Sequence, residues 1–276
     1  DAGFTDTESI VTSKNTYVAP FVNAEEAQYL VIENAFPNGR PALENAGVMF
    51  TSRETVEKVE RMKVCTCLNP LHTALAVYGC LLGYTKISDE MKDADLVKLV
   101  EIIGYKEGLP VVTDPGILSP KKFIDEVLQI RVPNPFMPDT PQRIACDTSQ
   151  KLSIRFGETI KEYMASSELD VKSLKFIPMV QAGWCRYLLG VDDELNAFTV
   201  SPDPMYEELA GKLAGVKVGE SCDVHAVLSP ILSDAKIFGV NLYEAGLGEY
   251  VESIFAELIA GKGAVRETLK RHLAEA

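Results

Sequence analysis

The chain has 276 residues, 46% of them apolar and 24% charged, with a formal net charge of −13. That is enough material for one large domain or two small ones, in an ordinary globular composition. The acidic balance argues against a nucleic-acid or anionic-membrane surface, no apolar run reaches the roughly 18–20 residues that cross a bilayer, and six cysteines fit reduced thiols of a cytoplasmic protein better than a disulfide framework.

The opening residues, DAGFTDTESIVTSK, are polar and acidic, unlike a signal peptide. TYVAPFV, QYLVIE and GVMFT are short strand-like runs separated by turn signals such as FPNGRP. Three short strands make a poor free-standing sheet. Residues 1–53 therefore read as trailing strands and linker of a sheet that belongs to something else. With no Met at position 1, the chain reads as a piece of a longer protein.

From residue 54 to 276 the pattern is helical. RETVEKVERMKV starts after Ser52, and PLHTALAVYGCLLGY is apolar nearly all round, which predicts a central buried helix. DADLVKLVEIIGYKEG, SPKKFIDEVLQIRV, TPQRIACDTSQKLSIRFGETIKEYMAS, LKFIPMVQAGWCRYLLGV, MYEELAGKL, VHAVLSPILSD, EYVESIFAELIAGKG and AVRETLKRHLAEA follow, with prolines at the breaks. The predicted fold class is mainly α: many helices preceded by a few short β-strands.

Two polar clusters stand out. The first is Lys63, Asn69 and His72 at the mouth of the buried helix. Asn before Pro suits an N-cap, so a cap plus a packed histidine is a complete structural reading. The functional reading places Asn69 and His72 at the positive end of a helix, where an alkoxide is stabilised and imidazolium disfavoured. On one continuous helix Lys63 points about 180° away from His72, at roughly 100° per residue. A shared site therefore requires a break or bulge near Cys67–Pro70.

The second cluster is Arg143, Asp147 and Lys151, whose i, i+4, i+8 spacing predicts one helical face. That face is either a solvated charge ladder or, given the apolar flanking residues, a partly buried pair of cations for a polar ligand. Asn134, Pro135 and Asp139 read as loop and cap chemistry, Trp184 and His225 as core, and His272 as exposed. Cys65, Cys67 and His72 lack the second half of a metal site, so no metal is expected. Gly246-Leu247-Gly248 and Gly261-Lys262-Gly263 are weak echoes of a dinucleotide fingerprint, without the strand it needs.

YLVIENAFPNGRP (29–41), KVCTCLNPLHTALAVYGCLLGY (63–84), NPFMPDTPQRIACDTSQK (134–151) and GWCRYLLGVDD (183–193) together resemble the C-terminal half of the mannitol dehydrogenase / fructuronate reductase family, the polyol-specific long-chain dehydrogenases. The resemblance extends over essentially the whole chain. It implies a helical substrate domain that follows an N-terminal Rossmann domain, and NAD- or NADP-dependent, metal-free oxidation of a secondary alcohol. It also implies Lys63 as general base, Asn69 and His72 on the reacting oxygen, and Arg143 and Lys151 on the distal part of the substrate. The resemblance further implies a cofactor bound mainly outside this chain. The implied substrate is D-mannonate/D-fructuronate, with mannitol/fructose as the alternative. A non-catalytic helical interaction module is the reading of another class. The chain departs from the family pattern in two places. Five residues separate Lys63 from Asn69 where the family usually has four, and Asn-Pro-Leu-His replaces the commoner Asn-Gly-Ser-His.

Overall fold

The computed structural model describes residues 10–11, 17–18, 29–137 and 139–276. Most of TYVAPFV lies outside them. The chain divides into two units, residues 1–51 and 52–276.

In the first unit, β1 (Ile10–Val11) pairs antiparallel with β2 (Tyr17–Val18). β3 (Val31–Glu33), from QYLVIE, pairs in parallel with β4 (Met49–Thr51), from GVMFT, in the register Val31–Met49, Ile32–Phe50 and Glu33–Thr51. Arg40 pins the connection between them. Its guanidinium lies 3.4 Å from the centre of the Phe50 ring, and Nε donates to Asn34 Oδ1 at 3.0 Å. A parallel pair of three-residue strands is marginal by itself.

The second unit is helical. Ser52 caps α1 (Arg53–Met62) by accepting the Thr55 amide at 3.3 Å, as its position before an amphipathic run predicts. α2 (Asn69–Leu81), α3 (Ile87–Glu90), α4 (Ala94–Glu101), α5 (Pro120–Glu126), α6 (Pro141–Ile144), α7 (Glu158–Ala165), α8 (Phe176–Tyr187), α9 (Tyr206–Leu213), α10 (Val224–Leu232), α11 (Ala235–Phe238), α12 (Gly248–Leu258) and α13 (Ala264–Ala274) follow. All of α2 after Asn69 is buried, including Leu71, Leu75, Val77 and Leu81. Each such side chain contributes about 1.5–3 kcal/mol when fully removed from water.

α8 packs against both α2 and α12. Gly183 makes the first contact possible: a β-carbon there would sit 3.1 Å from the Tyr78 ring. α8 has no cap of its own. The buried Glu107 carboxylate reaches over instead and accepts the amides of Lys175, Phe176 and Ile177 at 2.7–2.8 Å. Trp184 is fully buried, as expected, and the buried Arg186 guanidinium is satisfied by the carbonyls of Leu258, Val191 and Asp192.

Four sequence expectations need correction. Residues 53–81 form one helical run of 29 residues, long and apolar enough by length and composition to cross a bilayer, although no single apolar stretch suggested it. Its most apolar 18-residue stretch is 89% buried inside the protein, as befits a core helix. The predicted single helix over 140–166 breaks into α6, a 3-10 turn (Thr148–Gln150), a π-helical turn (Ser153–Gly157) and α7. His225 is not core: its side chain is 68% exposed and its Nδ1 lies 2.8 Å from Glu252. His272 is largely buried rather than exposed, against Glu257 at 2.8 Å.

Candidate functional site

Between α1 and α2 the chain forms a π-helical turn over Lys63–Cys67. The Leu68 amide donates to the Lys63 carbonyl at 3.1 Å, a five-residue step, and the His72 amide donates to the Leu68 carbonyl at 3.0 Å. Leu68 itself leaves helical geometry, at φ −132° and ψ −61°. A π-turn holds one residue more than an α-turn. At roughly 100° per residue, absorbing one residue cuts the angle between Lys63 and His72 from about 180° to about 80°. The bulge required for a shared site is therefore present, and it takes up one residue, the excess in the Lys63–Asn69 spacing. The Lys63 side chain is half-buried and has no hydrogen-bond or ion-pair partner among the described residues.

Asn69 is not the N-cap. It is the first residue of α2, Leu68 holds the cap position, and no side chain caps the helix there. The Asn69 amide group is thus not consumed by capping. Its backbone carbonyl accepts the Thr73 hydroxyl at 2.9 Å.

His72 is buried, and its imidazole pKa is pushed down to about 4. Burial is the main cause, followed by the positive charges of Arg131, Arg155 and Arg143. The ring is neutral at physiological pH, so one nitrogen donates and the other accepts. Burial and neighbouring guanidiniums produce this state, where the sequence pointed to a helix N-terminus.

The ladder Arg143–Asp147–Lys151 does not exist. α6 ends at Ile144, and Asp147 turns the chain in the left-handed region at φ 51°, held by its amide to the Pro202 carbonyl at 2.8 Å. Ser149 is tied to Asp203 through both its amide and its hydroxyl. Arg143 pairs with Asp139 instead, with its own side chain 61% exposed. Asp139 is thus the partner of Arg143, while Asn134 does serve its loop by accepting the Phe136 amide at 3.0 Å. The half-buried Lys151 ammonium donates to the carbonyls of Cys146 and Ile144 at the end of α6. Its pKa is lowered by burial and by Arg155.

Two cations escaped the sequence reading. Arg131 ends a π-turn at Val127–Arg131, and Arg155 lies in the one at Ser153–Gly157. Arg155 Nη1 donates to the Thr73 hydroxyl at 2.7 Å, and that hydroxyl in turn donates to the Asn69 carbonyl. Arg155 stands four residues beyond Lys151, a spacing that could have flagged it.

No group of three His, Cys, Asp or Glu side chains suited to a metal occurs among the described residues, and Cys65 and Cys67 are buried, unbridged thiols. The glycine echoes do not fit a dinucleotide pyrophosphate. Gly248 is packed against the Tyr243 ring where a β-carbon would clash, and Gly246 and Gly263 have positive φ in the turns leading into α12 and α13. No strand precedes either.

The profile of the mannitol dehydrogenase C-terminal domain matches residues 55–255. The chain belongs to this family. A D-mannonate oxidoreductase of Thermotoga maritima is 61% identical over 272 residues, which are 97% of this chain and 50% of that protein. A mannitol 2-dehydrogenase of Aspergillus niger is 31% identical over 241 residues, 84% of this chain and 47% of that protein. The Pseudomonas fluorescens mannitol 2-dehydrogenase, solved as a ternary complex with NAD and D-mannitol, shares the fold with a TM-score of 0.75 at 24% identity. That likeness covers 98% of this chain and 54% of the other. This mannitol dehydrogenase domain thus spans about half the length of the relatives it matches.

Proposed function

We infer that this chain is the substrate-binding and proton-transfer half of an oxidoreductase that interconverts a secondary alcohol and a ketone on a sugar acid, D-mannonate and D-fructuronate. The observation that carries this reading is the charge around His72. Arg131, Arg143 and Arg155 all act on one buried neutral imidazole, and Arg155 also acts on Lys151, in a chain of net charge −13. A carboxylate-bearing substrate matches that local field, and the name of the 61% identical relative supports the same substrate.

In the oxidation direction Lys63, as the free amine, takes the hydroxyl proton. The Asn69 amide and the neutral His72 ring donate to the oxygen as negative charge builds on it. The hydride leaves the same carbon for NAD or NADP bound by chain beyond these residues, in keeping with relatives twice as long.

Turnover of sugar acids and polyols by the full-length protein with each nicotinamide cofactor tests this. The expected result is the highest kcat/KM with D-mannonate. A higher value with D-mannitol makes the neutral polyol the substrate.

A further inference from the structure

We propose that Arg155 is the receptor for the substrate carboxylate. This rests on the sugar-acid reading above and adds a residue and an atom-level role to it.

Most guanidiniums of this domain face acids or backbone carbonyls. Arg61 meets Glu158 and Glu162, Arg143 meets Asp139, and Arg266 meets Asp93 and Asp95. The buried Arg186 is satisfied by three carbonyls. Arg155, half-buried, makes one hydrogen bond, from Nη1 to a neutral hydroxyl. Among the described residues no carboxylate lies within ion-pair distance of it, and Nε and Nη2 donate to nothing. A cation drawn out of water without an anion is costly, and the cost is removed when a ligand supplies the anion. The planar fork of Nε and Nη2 fits a carboxylate through two parallel hydrogen bonds.

The other three cations around His72 are engaged. Arg143 is neutralised by Asp139 at an exposed position, Lys151 caps the end of α6, and Arg131 has an interaction of its own.

The position also fits the substrate. Thr73, which orients Arg155, stands four residues along α2 from Asn69, about 6 Å or just over one helical turn. In D-mannonate the carbon whose oxidation gives D-fructuronate is four bonds from the carboxyl carbon, a span of about 5 Å at roughly 1.5 Å per bond. With the reacting oxygen at Asn69 and His72, the carboxylate reaches the neighbourhood of Arg155.

The test uses the full-length protein with its nicotinamide cofactor and three variants: Arg155→Met, Arg155→Lys and Thr73→Val. Arg155→Met is expected to raise the KM for D-mannonate about 100-fold, the scale of a lost charge-assisted pair, with kcat within about threefold. Its kcat/KM for D-mannitol, which lacks the carboxylate, stays within about threefold. Arg155→Lys, which keeps the charge and loses the fork, is expected to lie between. It also covers the case in which the methionine variant does not fold. Thr73→Val removes both the link to Asn69 and the hydroxyl that orients Arg155, and is expected to lower kcat on both substrates and to raise the KM for D-mannonate by less than Arg155→Met does. Equal losses on both substrates in the Arg155 variants, or a fall in kcat at unchanged KM, overturn the assignment and leave Arg155 as a support for Asn69. If the wild-type enzyme turns over D-mannonate but Arg155→Met leaves its KM unchanged, this inference fails alone. If the wild type does not act on D-mannonate, the sugar-acid reading fails with it.

Discussion

The Leu68 amide donates to the Lys63 carbonyl five residues back, at 3.1 Å. This one bond makes the turn between α1 and α2 a π-turn, and it reconciles a longer lysine–asparagine spacing with a shared site. Removing one residue from the turn should relax it to α-helical geometry while keeping Lys63 and His72 in register. Deletion of Val64, the least buried residue between Lys63 and Leu68, is therefore expected to leave kcat/KM of the full-length enzyme within about tenfold. An alanine inserted after Val64 rotates the lysine by a further ~100° and is expected to abolish turnover. Steady-state kinetics on the two variants checks this. Equal damage from deletion and insertion contradicts it.

His72 gives a pH signature. Its folded pKa of about 4 lies below the ordinary 6.5. The unfolded chain therefore binds the proton first as pH falls. The stability present above pH 6.5 should decline between 6.5 and 4, by up to about 3 kcal/mol. Denaturant titrations across that range, for the wild type and His72→Asn, should show a shallower decline in the variant. Parallel curves remove His72 as the cause.

Glu90 works in the opposite direction. It is fully buried against Gly79, neither carboxyl oxygen has a hydrogen-bond partner among the described residues, and its pKa is pushed up to about 9 by burial and by Asp93. The folded state holds this proton when the unfolded chain has lost it. Its contribution is full below about pH 4.5 and is lost as pH rises towards 9. Glu90→Gln, a neutral group of the same shape, should be more stable than wild type at pH 8 by a few kcal/mol, with little difference at pH 4.5. Thermal melts at the two pH values decide it. An unchanged or lower melting temperature at pH 8 contradicts a protonated Glu90.

Arg143 and Lys151 should separate in their effects on stability. The Arg143–Asp139 pair is exposed on the arginine side, so Arg143→Ala should cost at most about 1 kcal/mol. Lys151 holds two carbonyls at the end of α6, so Lys151→Met should cost more, about 1–3 kcal/mol. Urea unfolding of the two variants gives the comparison, and equal losses would remove the capping role.

Much of this was legible in local sequence. Ser52 before an amphipathic run marks the start of α1, the all-round apolar character of residues 70–84 marks the buried helix, and the run of helices after residue 54 marks the fold class. The requirement for a bulge before Pro70 was also legible, because Lys63 and His72 could not otherwise meet. The missing parts depend on distant partners. Asp147 breaks its helix because its amide finds Pro202, and Ser149 is held by Asp203, fifty-four residues away. Arg155 meets Thr73 across eighty-two residues. His225 sits in an apolar run yet faces solvent, because Glu252 on α12 offers it a partner at the surface.

The central claim is that Lys63 takes the proton from a sugar-acid hydroxyl held by Asn69 and His72. Its most direct test is nicotinamide reduction by the full-length protein with D-mannonate, for wild type and Lys63→Ala. The account predicts turnover by the wild type, a fall in kcat of about 100- to 10,000-fold in the variant, and an unchanged melting temperature, since the half-buried Lys63 side chain has no partner to lose among the described residues. Turnover by Lys63→Ala within tenfold of wild type would contradict it.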